Sequence, residues 1–185
     1  MMNIKNQELA GMYGDYELVF ATDEAIEEYF EACLKTIGPA EMYESWQLHH
    51  IAVQDLLEKV FAGIRQGKGK AYFLLRHISD EEKEVVGIGG IAPLLENEDG
   101  QAVSSAGEIW YMGQSFTEHK RFLVQYGKVI LAKILTHYPM VLNLAAAWNY
   151  EAFKLVKFLG FTVGKELIRT GINQALFKCF YITKK

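Results

Sequence analysis

A near-continuous apolar run, MVLNLAAAW at residues 140–148, constrains the fold of this 185-residue chain more than any other segment. A run of strand length without polar alternation is typical of a strand that is buried on both faces. Helical patterns flank it, a long one over 117–137 and a short one over 150–159. We therefore predict that residues 140–148 form a central strand of an α/β sheet.

The rest of the chain predicts a single domain over residues 1–185, with residues 1–14 expected to be flexible. The other predicted elements are a strand at 16–21, helices at 22–37 and 45–65, strands at 71–77, 85–92 and 107–112, and a terminal hairpin of 161–168 and 175–182. No linker separates domains in this pattern. The order predicts a mixed sheet with helices on both faces.

Charge and hydropathy argue against several classes of function. Nineteen Lys and Arg against 23 Asp and Glu give a net charge of −4 without any block of like charge, so we expect no nucleic-acid partner. No apolar run approaches the roughly 20 residues that span a bilayer, so we expect no membrane association and a cytoplasmic location. Cys33 and Cys179 lack metal-ligand spacing, and we expect no metal site.

The three glycines in VVGIGGIA, residues 85–92, do not form a dinucleotide-binding fingerprint. That motif needs a third spaced glycine and a turn from strand to helix. Gly87, Gly89 and Gly90 instead predict close backbone packing within a strand.

A motif at the second short helix carries a family resemblance. Asn149 is followed by Ala152, Leu155 and the triplet Leu159-Gly160-Phe161. This spacing, with the element order, resembles the Gcn5-related N-acetyltransferase (GNAT) superfamily. The resemblance implies an acyl-CoA N-acyltransferase fold with a mostly antiparallel sheet, and acetyl-CoA as co-substrate. A closer likeness, carried by residues 108–110, 120–122, 148–149 and 158–160, is to acetyltransferase-like proteins of tailed bacteriophages, including internal virion protein A of T7-like phages.

The resemblance also implies a site where strands 107–112 and 140–148 splay apart. An acceptor amine would attack the acetyl thioester directly there, and the acceptor is expected to be a small molecule or a protein. The implied cofactor-binding residues are Tyr111, Met112, Gly113, Thr117, Lys120, Arg121 and Asn149. The implied general base is Glu108, with His119 as the alternative. Tyr150 or water is expected to donate the proton to the leaving thiolate. A monomer or a homodimer is expected.

Three features depart from the family pattern or allow another interpretation. Residues 113–121, GQSFTEHKR, lack the spaced glycines that let backbone N–H groups surround a pyrophosphate. Val156 stands where the family has a proton-donating Tyr, and an alkyl group donates no proton. Asn149 also fits a plain helix N-cap, and Glu108 a strand carboxylate. The alternative hypothesis is therefore a non-catalytic binding or structural protein that keeps the fold.

Overall fold

The computed structural model describes residues 9–94, 105–113, 120–171 and 173–184. In chain order, the elements of this part are β1 (Gly11–Tyr13), β2 (Tyr16–Phe20), α1 (Asp23–Thr36), α2 (Pro39–His49), α3 (Val53–Arg65), β3 (Lys70–His77), β4 (Lys83–Pro93), β5 (Ala106–Gly113), α4 (Lys120–His137), β6 (Met140–Ala146), α5 (Tyr150–Leu159), β7 (Thr162–Val163), β8 (Ile168–Thr170) and β9 (Ala175–Thr183).

The strands of the described residues join one sheet in the order β1-β2-β3-β4-β5-β6-β9-β7, with β8 also paired to β9. β5 and β6 run parallel, whereas the other pairs in this part of the chain are antiparallel. The predicted mixed, mostly antiparallel sheet is confirmed. β6 lies inside the sheet between β5 and β9, as its apolar run indicates.

Helices cover both faces of the sheet. Because successive strand residues point to opposite faces, β3 contributes to two separate cores. Phe73 packs with Leu57 and Phe61 of α3 on one face. Leu74 packs with Phe122 of α4 on the other face. The α1–α3 side and the α4 side therefore enclose the sheet between them, which confirms the predicted layers.

The prediction of one helix over 45–65 was wrong. The chain instead forms α2 and α3, and the break lies at His50, which has a left-handed φ of 58°. Pro39 begins α2, at a position where its missing N–H costs no hydrogen bond. α3 buries Leu57 and Phe61 in the core, whereas the buried residue of α2 is Ser45, so the two helices do not share one continuous apolar face.

Two further predictions about strands need correction. Residues 11–13 form β1, where the sequence predicted no strand. The predicted strand over 161–168 is divided into β7 and β8. Five positions separate Val163 from Ile168, whereas three separate their β9 partners Phe180 and Phe177, so the extra residues leave the ladder as a bulge.

The glycines of β4 fit the predicted close packing. A Cβ on Gly90 would overlap the carbonyl oxygen of Lys70 and would lie 2.5 Å from the Trp110 ring. A Cβ on Gly87 would lie 2.6 Å from the Tyr111 hydroxyl. The side chains of β5 therefore lie directly against the bare backbone of β4.

Gly90→Ala is expected to destabilise the fold by about 1–3 kcal/mol, because the added methyl group must displace a ring and a strand backbone. The measurement is chemical denaturation. Gly63→Ala is the matched control, since a Cβ there meets nothing closer than 3.8 Å inside α3. The control should gain about 0.5–1 kcal/mol from helix propensity. Equal effects of the two changes would contradict this account of β4.

Candidate functional site

β5 and β6 separate in the middle of the sheet. Their pairing joins Ala106 to Met140 and ends where Glu108 faces Leu142. Both strands continue past that point, β5 to Gly113 and β6 to Ala146. Each keeps its other neighbour, β4 for β5 and β9 for β6. We call this opening, bounded by residues 109–113 and 143–146, the fork.

Asn143 bridges the two strands where the fork begins. Its side-chain amide donates to the carbonyl oxygen of Ile109 at 2.7 Å, and its own oxygen accepts from the backbone N–H of Leu144 at 2.6 Å. A side chain thus replaces the ladder bond that pairing would otherwise supply. Asn149 was predicted as a site residue from the sequence and Asn143 was not, although Asn143 is the one polar residue of MVLNLAA.

Asn149 caps α5 and is tied to α2. Its side-chain oxygen accepts from the N–H of Ala152 at 3.1 Å, so the N-cap interpretation is correct. Its side-chain amide donates to Glu44 at 2.6 Å. The other oxygen of Glu44 accepts from the N–H of Ala146 at 2.7 Å. One carboxylate on α2 therefore holds both the end of β6 and the start of α5.

A cavity of about 320 Å³ opens at the fork. Its apolar lining includes Leu123, Ile130 and Leu131 of α4 and Leu155, Val156 and Leu159 of α5. The ionisable groups of its lining include Glu41, Glu44 and His49 of α2, and Glu108 of β5. Among the described residues, no Lys or Arg lines this cavity. One side of the cavity is therefore apolar and the other is acidic.

Burial shifts the pKa of three ionisable groups in the cavity lining. It raises the pKa of the Glu108 carboxyl. It also raises the pKa of Glu41, and the negative charge of Glu44 adds to that increase. Burial lowers the pKa of His49, and the charge of Lys59 lowers it further. Both carboxyls therefore hold a proton more tightly than an exposed Glu does.

Several predicted site residues lie at the fork. Glu108, Tyr111, Met112 and Asn149 all line the cavity. Gly113 ends β5 and is buried, and a Cβ there would lie 2.6 Å from both the Tyr111 hydroxyl and the Val86 carbonyl oxygen. Gly113 therefore allows close packing beside the fork. Trp110 also lines the cavity.

Other predicted residues do not meet there. Tyr150 is 72% exposed and is not part of the cavity lining, so the structure does not bring its phenol to the fork. Val156, at the family's Tyr position, is buried and lines the cavity. Arg121 is exposed in the first described turn of α4, whereas Thr117 and His119 lie outside the described residues.

No family model and no curated protein matches this sequence. Solved structures match over most of its length. RimL, a ribosomal L7/L12 alpha-N-protein acetyltransferase in complex with coenzyme A, is 10% identical, with 94% of this chain and 96% of that chain covered and a TM-score of 0.64. A putative ribosomal-protein-serine acetyltransferase from Vibrio cholerae is 8% identical, with the same coverage and a TM-score of 0.65.

A third match is the microcin C7 self-immunity acetyltransferase MccE in complex with acetyl-CoA and AMP. It is 9% identical, with 93% of this chain and 94% of that chain covered and a TM-score of 0.61. The chain has the GNAT acyl-CoA N-acyltransferase fold. At these identities the likeness concerns the fold alone, and it confirms the fold class that the sequence predicts.

Membrane-spanning helices and metal sites are absent from the part of the chain that the structure describes. Among the described residues, no helix is long and apolar enough to cross a bilayer. In the same part of the chain, no three His, Cys, Asp or Glu side chains lie close enough to hold a metal ion. Glu41, Glu44 and Glu108, which line the cavity, do not form such a group.

Glu108→Gln is expected to raise the melting temperature near pH 8 and to change it little near pH 4. Because burial raises the folded-state pKa of Glu108 above 4.5, its contribution to stability is fully present below that value. The contribution is lost as the pH rises through the folded pKa, whereas Gln stays neutral. Thermal denaturation between about pH 4 and pH 8 measures this.

Glu58→Gln, at an exposed position of α3, is the control for that experiment. A shift for Glu108→Gln that is the same at both ends of the pH range would contradict the role of burial.

Proposed function

We propose that the protein transfers the acetyl group of acetyl-CoA to an amine. The observation that carries this proposal is the fork, where two parallel strands part over a cavity inside the sheet. A thioester arm entering from one side and an amine entering from the other would meet there. The matching structures of RimL and MccE, which hold coenzyme A and acetyl-CoA, support the choice of co-substrate.

The fork fits the arm of acetyl-CoA. Beyond Glu108, β5 has no β6 partner in the described residues, so amide groups of the pantetheine arm can pair with its edge as a strand would. The apolar side chains of α4 and α5 suit the alkyl parts of that arm. Met112, Tyr111 and Asn149 are the proposed cofactor-binding residues at the fork.

The start of α4 suits the pyrophosphate. A helix N-terminus favours an anion through its exposed N–H groups and its dipole. Arg121 adds a positive charge in the first described turn of α4. Gly113, Thr117 and Lys120 remain proposed contacts of the same group, although residues 113–121 lack the family's glycine pattern.

Glu108 is the proposed catalytic base. The attacking nitrogen must lose a proton, and a buried carboxyl with a raised pKa accepts one more readily than an exposed carboxylate does. The nitrogen forms a bond to the thioester carbonyl carbon while the carbon–sulfur bond breaks. The leaving thiolate then takes a proton from water, since Val156 cannot supply one and the phenol of Tyr150 is exposed.

A second candidate function is a non-catalytic binding or structural protein with the same fold. The absence of a proton donor at Val156 favours it. The phage-type relationship, the cytoplasmic location and the monomeric or dimeric state also remain predictions. The two functions differ in one measurable property, which is the release of free coenzyme A in the presence of an amine.

Acetyl-CoA is expected to bind the purified protein in isothermal calorimetry, and Arg121→Ala should weaken that binding about 10-fold or more. The reason is the loss of one charge-assisted contact to phosphate. Arg65→Ala is the matched control, because it also removes an exposed arginine side chain, at the end of α3. A folded protein that gives no heat with millimolar acetyl-CoA would overturn the proposed co-substrate.

Glu108→Gln should lower kcat by about 100-fold to 10,000-fold, because the amide cannot accept the ammonium proton. The dissociation constant of acetyl-CoA should stay unchanged. Turnover is measured as thiol release with a panel of amines. An unchanged kcat would remove Glu108 from the mechanism, and turnover absent with every amine despite cofactor binding would favour the non-catalytic function.

A further inference from the structure

The inward side of α2 presents a polar stripe to the cavity. Glu41, Glu44 and Ser45 lie on one side of α2 at helical spacing, and all three line the cavity. A helix side that packed on a dry core would be apolar at these positions. The stripe therefore lies against space that a polar ligand can fill.

Two polar groups in this stripe have no hydrogen-bond partner among the described residues. Ser45 is only 5% exposed, and its hydroxyl oxygen is buried and unpaired. One carboxylate oxygen of Glu41 is also buried and unpaired. Folded proteins rarely leave buried polar groups in this state, because each has lost its hydration without compensation. Glu44 differs, since Ala146 and Asn149 donate to its two oxygens.

The unpaired groups select the chemistry of their partner. A carboxylate accepts hydrogen bonds only, and an ammonium group offers three donors and no acceptor. The charges agree, because Glu41, Glu44 and Glu108 line the cavity and no Lys or Arg of the described residues does. A single metal ion does not fit, since these carboxylates are not clustered closely enough. An extended cation with separate charged groups does fit.

We propose that the acceptor is a linear alkyl polyamine, with one amine at Glu108 and a second ammonium group held by Glu41 and Ser45. This inference rests on the proposed function. The amine at Glu108 gives up its proton and takes the acetyl group, whereas the second ammonium stays protonated and fixes the chain. A monoamine would leave Glu41 and Ser45 unpaired.

The experiment measures amine binding without the cofactor. Spermidine and butylamine are each titrated into the full-length protein by calorimetry, with acetyl-CoA titrated separately. Spermidine should bind at least about 10-fold more tightly than butylamine, as expected for one additional charge-assisted anchor. Glu41→Gln and Ser45→Ala should each weaken spermidine binding and leave butylamine binding unchanged. Glu81→Gln, at an exposed position of the β3–β4 turn, is the charge-matched control.

The outcomes separate this inference from the proposed function. Tighter spermidine binding that is lost in Glu41→Gln or Ser45→Ala supports the inference, whether or not acetyl-CoA binds. Equal binding of the two amines, or an equal effect of Glu81→Gln, overturns it, and acetyl-CoA binding then still supports acetyl transfer. Tight binding of a basic peptide instead of spermidine would also overturn it, because the acceptor would then be a protein. Melting temperatures establish that each variant is folded. If Glu41→Gln does not fold, Ser45→Ala alone tests the inference.

Discussion

The site depends on two side chains that replace missing strand pairing at the fork. Strands that separate inside a sheet leave backbone groups without partners, at a cost of about 1–3 kcal/mol for each buried group. The amide of Asn143 satisfies the carbonyl oxygen of Ile109, and the carboxylate of Glu44 satisfies the N–H of Ala146. Because both bonds come from side chains, the opening is a specified feature of the sheet and does not close by ordinary pairing.

The position of α2 follows from the same requirement. Glu44 reaches the end of β6 from α2, and the chain turns at His50 before α3 begins. The C-terminal end of α2 is fixed from a second direction. The side-chain oxygen of Gln47 accepts a hydrogen bond from the indole of Trp148 at 2.9 Å. The backbone carbonyl oxygen of Gln47 lies so close to Gly171 that a Cβ on Gly171 would overlap it.

The sequence predicted those parts of the fold that local pattern determines. The apolar run predicted β6, and the short helical pattern over 150–159 predicted α5, which ends at the left-handed Gly160 with a φ of 100°. The N-cap was one of the two interpretations that the sequence left open for Asn149. The bond from Glu44 to Asn149 joins residues 105 positions apart, and no local pattern contains it. Asn143 was detectable as a polar residue in an apolar strand, but its partner depends on where β5 and β6 separate.

The break between α2 and α3 was missed for a related reason. A continuous helical pattern shows which positions are apolar. It does not show that these positions belong to two separate helices with different neighbours. For Tyr150, the sequence did not show which side of a helix the residue lies on. It is the first residue of α5, and the buried side of that helix begins only at Phe153. Proximity in sequence to Asn149 therefore did not bring its phenol to the fork.

Glu44 connects the architecture of the fork to the charge of its cavity. Both of its oxygens accept bonds from the protein, so it holds β6 and α5 in place while its negative charge remains beside the cavity. That charge helps to raise the pKa of Glu41, whose buried oxygen has no partner among the described residues. A bound cation would relieve both the repulsion and the unpaired oxygen. Loss of Glu44 would disturb fold and charge together, whereas Glu41 and Ser45 carry recognition without holding the strands.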